Sequence, residues 1–229
     1  MGEKACHPVE RKISGEVPII ALLGMPNVGK SVLFHRLSGI YSTVSNFPGT
    51  TIEFNSALIQ LGKQTYHLVD MPGIFSLFGS GDLEKNIRKF LQENAVETVI
   101  LVTDAKNFDR SLFLLAELAH LGIRLLLVLN LWDEAQNRRI SIHIDALKQR
   151  LGIPVVPAIA TQGVGIPRIK KELPNAAVPE IPPLPYMLDG PMKTLEQKWA
   201  HLPTHLRRWE VMQSIRQNPN LSSTYFSAY

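Results

Sequence analysis

Cysteine is almost absent from this sequence: Cys6 is the single one in 229 residues. An intrachain disulfide is excluded, and the usage agrees with a reducing compartment. Cys6 and His7 are adjacent, but two neighbouring residues are not a chelating set and no C-x-x-C accompanies them. Long apolar runs are missing as well. The longest, IIALLG, TVILVT and LLLVLNLW, fall far short of the ~20 consecutive apolar residues of a membrane helix, so the sequence as given reads as soluble. The first residues, MGEKACHPVERK, are charged and hold no apolar stretch, unlike a secretory signal. Neither sign of charge dominates. A net charge of +4 and a pI near 9.2 permit contact with nucleic acid or an anionic membrane without arguing for either.

What is present suffices for a core: 45% of residues are hydrophobic against 19% charged. Residues 17–23, VPIIALL, have strand length and apolarity, a glycine loop follows, and residues 29–39 place Val32, Leu33, Arg36 and Leu37 at helical spacing before Gly39. Residues 41–50, YSTVSNFPGT, read as a polar loop. TIEFNSALIQLG and QTYHLVD read as a hairpin around a Gly-Lys turn. Residues 71–82 are glycine-rich. Helical stretches at 83–94, 109–121, 141–151 and 165–173 then alternate with the apolar strands ETVILVTD, IRLLLVLN and IPVVPAIA. That alternation predicts an α/β fold, a mainly parallel sheet of six to seven strands with helices on both faces.

After Leu173 the composition shifts. Six of sixteen prolines fall between Pro174 and Pro191, which predicts a stiff connector over 174–190. Residues 191–217 read as a small all-helical domain packed on the first, with Met192, Leu195, Trp199, Leu206, Trp209 and Met212 as its core candidates. Residues 1–15 and 218–229 are expected to be a flexible N-terminus and a disordered tail, leaving 16–173 as the main domain.

The chemistry is concentrated at four places. GMPNVGKS, residues 24–31, fits the phosphate loop G-x-x-x-x-G-K-[ST] between a strand and a helix. Its backbone N–H groups, at Gly24 and from Asn27 to Val32, are set to meet phosphate oxygens. Lys30 adds a fixed positive charge near the β and γ phosphates, and Ser31 offers a hydroxyl to Mg²⁺. In DMPG, Asp70 can hold Mg²⁺ through water and the Gly73 N–H can meet a γ-phosphate. In NLWD, the Asp133 carboxylate can accept from guanine N1 and its 2-amino group, whereas adenine presents an acceptor at N1. Asn130 would tie the loops together. In NFPGTT, with Gly49, Thr50 and Thr51, a threonine can reach Mg²⁺ only while a γ-phosphate is present, which makes this loop a switch. D-x-P-G and N-x-x-D alone are common. Their order, each at the C-terminal end of a strand, points to a guanine nucleotide.

With these motifs in hand, GMPNVGKS, NFPGTT, DMPGIFSL and NLWD together resemble the G-protein domain of the bacterial ferrous iron transporter family FeoB. VTDAKNFDRSLFLLAELAHLGIRLLLVLNLWDEA, LGIPVVPAIATQGVGI and the tail with RRW are similar to it too, so the resemblance spans about residues 16–217. It implies a Ras-like P-loop GTPase domain followed by a helical domain resembling a nucleotide-dissociation inhibitor. The implied ligands are GTP or GDP with Mg²⁺, and the implied partner is a membrane-embedded permease absent from this sequence. Small regulatory proteins or a second copy are further partners the resemblance allows. The implied place is the cytoplasmic side of the bacterial inner membrane, for a cytosolic piece of the transporter or a free-standing relative. By residue, the resemblance makes Ser31, Thr51 and Asp70 the Mg²⁺ residues, and Asn130 and Asp133 the guanine readers. Ala158, Ile159 and Ala160 form the last base-contacting loop.

Three positions depart from the common GTPase pattern. Leu131 stands where many GTPases have a lysine over the base, and Ile159 where a serine usually precedes the alanine. Ile74 stands where a glutamine orients the attacking water, and an isoleucine has no hydrogen-bonding group. Backbone groups must then place the water, or another element must supply the charge. Asn27 offers the second route. Its side-chain carbonyl could bind a monovalent cation beside the phosphates, in the manner of potassium-activated GTPases, so Asn27, Lys30, Thr51 and Gly73 form the expected catalytic set. An RNA-directed GTPase of the Era or tRNA-modification type shares the asparagine. The tail lacks a KH-like G-x-x-G and a basic run with interleaved aromatics, so no nucleic-acid partner is expected. A small-molecule kinase would share the phosphate loop but not the two later motifs.

Overall fold

The computed structural model describes residues 17–39, 43–46, 53–180, 193–202 and 204–217. Gly49, Thr50, Thr51 and Met192 lie outside the described residues, as do the expected flexible termini and residues 181–190 of the expected connector.

Seven strands make one sheet. In chain order the elements are β1 (Ile19–Leu23), α1 (Lys30–Ser38), β2 (Thr43–Asn46), β3 (Glu53–Leu61), β4 (Gln64–Asp70) and α2 (Asp82–Glu93). Next come β5 (Val96–Asp104), α3 (Leu112–His120), β6 (Leu125–Asn130), α4 (Trp132–Asn137), α5 (Ile144–Leu151), β7 (Val155–Pro157) and α6 (Ile166–Glu172). A short helix α7 at 193–198 and α8 (Thr204–Gln217) complete the set. The strand order is β2-β3-β4-β1-β5-β6-β7. β4, β1, β5, β6 and β7 run parallel, while β2 and β3 form an antiparallel edge.

The central strands are apolar throughout because both of their faces are covered. Side chains alternate between the faces. Ile19, Ala21, Leu23, Val99, Leu101, Leu125, Leu127 and Leu129 enter one core with Ile87 and Phe90 of α2 and Leu114, Leu115 and Leu118 of α3. Ile20, Leu22, Ile100, Val102, Leu126 and Val128 enter the other, with Leu33, Phe34 and Leu37 of α1 and Ile169 of α6. Trp209, Val211 and Met212 of α8 are buried in the first core, where Leu195 and Trp199 also pack.

Four local differences from the sequence expectation have physical causes. Residues 43–46, read as loop, form β2, because β3 offers them a backbone ladder that a four-residue stretch does not announce. The helix expected from 109 begins at Leu112, and Ala105–Ser111 form a 3-10 segment capped by the Asp104 side chain, which accepts from Lys106 N–H. A six-residue helix, α4, begins at Trp132, one residue past the end of β6, too short for its sequence to show a helical period. β7 is only Val155–Pro157, after which Ala160–Gln162 turn as a 3-10 segment. Of the segment 174–190, residues 174–180 are described, and they hug the main domain: Ala177 N–H and C=O pair with Leu125, and Glu180 N–H donates to Leu151.

Candidate functional site

β1, β4, β5, β6 and β7 deliver their C-terminal ends to one edge, and the sequence motifs all leave from it. The phosphate loop folds tightly after β1. Gly29 sits at φ 87, a left-handed conformation that costs a side-chain-bearing residue roughly 1 kcal/mol or more. A Cβ there would also fall 2.3 Å from Asn130 Nδ2. Lys30 is buried and its Nζ donates to the Met25 carbonyl at 3.0 Å across the loop. Burial holds its pKa below the usual lysine value, with the Asp70 charge opposing that shift. Asn27 is exposed at φ 63, and its side-chain amide makes no hydrogen bond among the described residues. An exposed amide oxygen at the turn of a phosphate loop fits a monovalent cation. Val28 is buried, and Val32 lies exposed in the first turn of α1.

Ser31 Oγ donates to Asp70 Oδ2 at 2.7 Å. Asp70 is itself buried, and its Oδ1 has no partner among the described residues. Burial raises the Asp70 pKa, while the Ser31 hydrogen bond and the Lys30 and His35 charges pull it down. A serine hydroxyl and an orphaned carboxylate oxygen fit Mg²⁺, a hard cation commonly held by one or two carboxylates, water and substrate phosphates.

The end of β6 is joined to the phosphate loop through the Asn130 side chain. Asn130 is buried at the end of β6; its Nδ2 donates to Val28 C=O at 2.8 Å and its Oδ1 accepts from Ala160 N–H at 3.0 Å. Leu131 then turns the chain at φ 57, placing Asp133 in the first turn of α4. The Asp133 carboxylate makes no hydrogen bond or ion pair among the described residues. Trp132 N–H donates to Ala158 C=O at 3.2 Å, and Ile159 N–H to Val164 C=O at 3.1 Å, so the last loop is braced on both sides. Arg36 of α1 clamps the same loop, its Nε donating to Ala160 C=O at 3.1 Å and an η nitrogen to Thr161 C=O.

The stretch after DMPG is also held. Gly73 lies so close to the phosphate loop that a Cβ would sit 2.6 Å from Pro26 N. Ile74 is a core residue, and its N–H donates to Gly24 C=O at 3.1 Å. Glu117 of α3, wholly buried, accepts from Ser76 Oγ at 2.8 Å and from Leu77 N–H at 2.7 Å. Arg88 of α2 donates to the Leu77 and Gly79 carbonyls, and Phe78 rests against Trp209 of α8 with ring centroids 5.9 Å apart.

Sequence reasoning placed Gly24, Asn27, Val28, Gly29, Lys30, Ser31, Asp70, Gly73, Asn130, Asp133 and the 158–160 loop, and the fold brings them to one edge. It missed Arg36, Arg88, Glu117 and the Lys106–Glu134 ion pair. Glu117 did leave a trace, as the single charge within LFLLAELAH. Arg36 left none, because its partners are more than 120 residues away.

A mainly parallel sheet with this phosphate loop, carboxylate and asparagine at one edge is a Ras-like P-loop G domain. Residues 18–173 match the family model described as Ferrous iron transport protein B, and the chain belongs to that family. It is 37% identical over 149 residues to the Fe(2+) transporter FeoB of Synechocystis sp., an alignment covering 65% of this chain and 24% of that protein. The Escherichia coli Fe(2+) transporter FeoB is 37% identical over 155 residues, 66% of this chain and 20% of that protein. The chain thus spans about a quarter or less of these relatives. Among solved structures, the cytosolic domain of L. pneumophila FeoB superposes with TM-score 0.81 at 26% identity, covering 91% of this chain and 92% of that one. The cytosolic domain of the T. maritima FeoB iron transporter in GMPPNP form gives TM-score 0.78 at 29% identity, covering 92% and 85%. Among the described residues no helix is long and apolar enough to cross a membrane.

Proposed function

We propose that this chain is the GTP-binding and GTP-hydrolysing regulatory module of a bacterial Fe(II) transporter, working on the cytoplasmic side of the inner membrane beside a permease. The observation that carries the nucleotide reading is Asn130, whose two hydrogen bonds join the phosphate loop to the last loop beside Asp133. An S. thermophilus relative is described bound to GDP, which supports the same ligand here.

In this reading backbone N–H groups of residues 24–32 and the Lys30 ammonium hold the phosphates. Ser31, Asp70 and Thr51 would hold Mg²⁺, and Asp133 would accept the guanine donors. Mg²⁺ and K⁺, when bound, neutralise charge that builds on the phosphate oxygens during transfer. Ile74 is in the core and apolar, so it orients no water. The Gly73 N–H would meet the transferred phosphoryl group, and the Asn27 amide oxygen would hold a monovalent cation, supplying the positive charge that an arginine supplies in other GTPases. The test is GTP hydrolysis in potassium against sodium salt, with ATP as control. Potassium should accelerate the GTP reaction, and Asn27→Ala should abolish the acceleration. Equal rates in the two salts would overturn the cation assignment, and equal use of ATP the guanine assignment.

A further inference from the structure

Among the described residues, nothing bonds to the side chain of the residue that recognises guanine in the proposed function. Asp133 has no hydrogen bond or ion pair among the described residues, so its aim depends on the backbone on either side. That backbone is under strain, since Leu131 is a non-glycine residue at φ 57. Such a turn persists when its surroundings fix it. On the N-terminal side Trp132 N–H is fixed to Ala158 C=O at 3.2 Å. On the C-terminal side the neighbour is Glu134, and its carboxylate pairs with Lys106 Nζ.

Lys106 is well placed to anchor it. Asp104 and Asn130 face each other across β5 and β6, so the segments after these strands leave the sheet edge side by side. Asp104 Oδ1 accepts from Lys106 N–H at 2.9 Å, and its Oδ2 lies 3.7 Å from Lys106 Nζ. The lysine side chain is only 11% exposed. An ion pair with one partner this shielded and its backbone pinned loses less to screening and side-chain entropy than a surface pair. Lys106 lies in the 3-10 segment that follows β5, and Leu131 follows the neighbouring strand β6.

We infer that the Lys106–Glu134 ion pair is a positioning device for guanine specificity: it fixes the first turn of α4, so that Asp133 meets N1 and the 2-amino group of the base. The inference rests on the guanine reading of Asp133.

The test compares GDP with IDP, which lacks the 2-amino group, by competition binding to the same protein. The wild-type chain should prefer GDP. In Lys106→Met and Glu134→Gln, GDP affinity should fall about fivefold, and IDP, which offers Asp133 only N1–H, should lose a smaller factor, so the preference narrows. In an Asp133→Asn background Lys106→Met should add almost nothing. A merely structural role lowers GDP and IDP binding together and leaves their ratio unchanged, and that result would overturn the inference alone. A wild-type chain that holds GDP and IDP equally would overturn the reading of Asp133 and the inference with it.

Discussion

Replacing Glu117 with alanine should loosen the stretch that follows DMPG. The carboxylate is wholly buried and accepts from Ser76 Oγ at 2.8 Å and from Leu77 N–H at 2.7 Å. Hydrogen bonds to a charged group contribute about 1.5–3 kcal/mol each. Truncation removes both and strands the Leu77 N–H, but it also relieves the cost of burying a charge. The net loss should be about 3 kcal/mol, or roughly 6–12 °C in Tm for a chain of this size. Glu117→Gln separates hydrogen bonding from charge. Its oxygen can still accept from Leu77 N–H, and its NH₂ can donate to Ser76 Oγ, because a hydroxyl rotates to accept. That variant should lose only about 1 kcal/mol. Urea denaturation measures the stability, and hydrogen exchange at the Leu77 amide locates the change. Glu117→Ala within about 0.5 kcal/mol of wild type, or with unaltered Leu77 exchange, would refute the reasoning.

Two further outcomes are expected. Gly73→Ala puts a Cβ 2.6 Å from Pro26 N, a backbone atom that cannot rotate aside, so the two loops must part. With the fold retained by circular dichroism, GTP hydrolysis should drop about a hundredfold, and an unchanged rate would show that this close approach has no part in the reaction. His120, half-buried at the end of α3, has its pKa pushed down by burial from 6.5 to about 4. The unfolded chain takes up this proton below pH 6.5 while the folded chain refuses it until about 4, so the stability it contributes is complete above 6.5 and is lost as pH falls towards 4. His120→Gln should flatten that part of a stability–pH curve, and two parallel curves would exclude this histidine as the cause.

The sequence was legible where function imposes local spacing. The phosphate loop, DMPG and NLWD are contiguous words whose residue types follow from what they must touch, and the uninterrupted apolar strands announced a sheet covered on both faces. It was illegible where a side chain acts at a distance. Nothing near Arg36 tells that it caps carbonyls of residues 160 and 161. Nothing near Lys106 tells that it pairs with Glu134, 28 residues on. Residues 43–46 read as loop because four residues carry too little pattern, and the β3 edge supplies what the segment itself lacks.

By itself, then, the sequence determined the class of fold, the order of the motifs, the absence of a hydrogen-bonding side chain at Ile74 and the presence of Asn27. These follow from composition, periodicity and spacing, which are properties of neighbours in the chain. Only the tertiary structure decided that Asn130 bonds two loops at once, that Ile74 is buried in the core, and that Glu117 grips the segment after Gly73 while Trp209 of the helical tail packs on Phe78. Each of these depends on strands from distant parts of the chain ending at one edge, and strand order is fixed by how the apolar faces are buried together, not by any local run of residues.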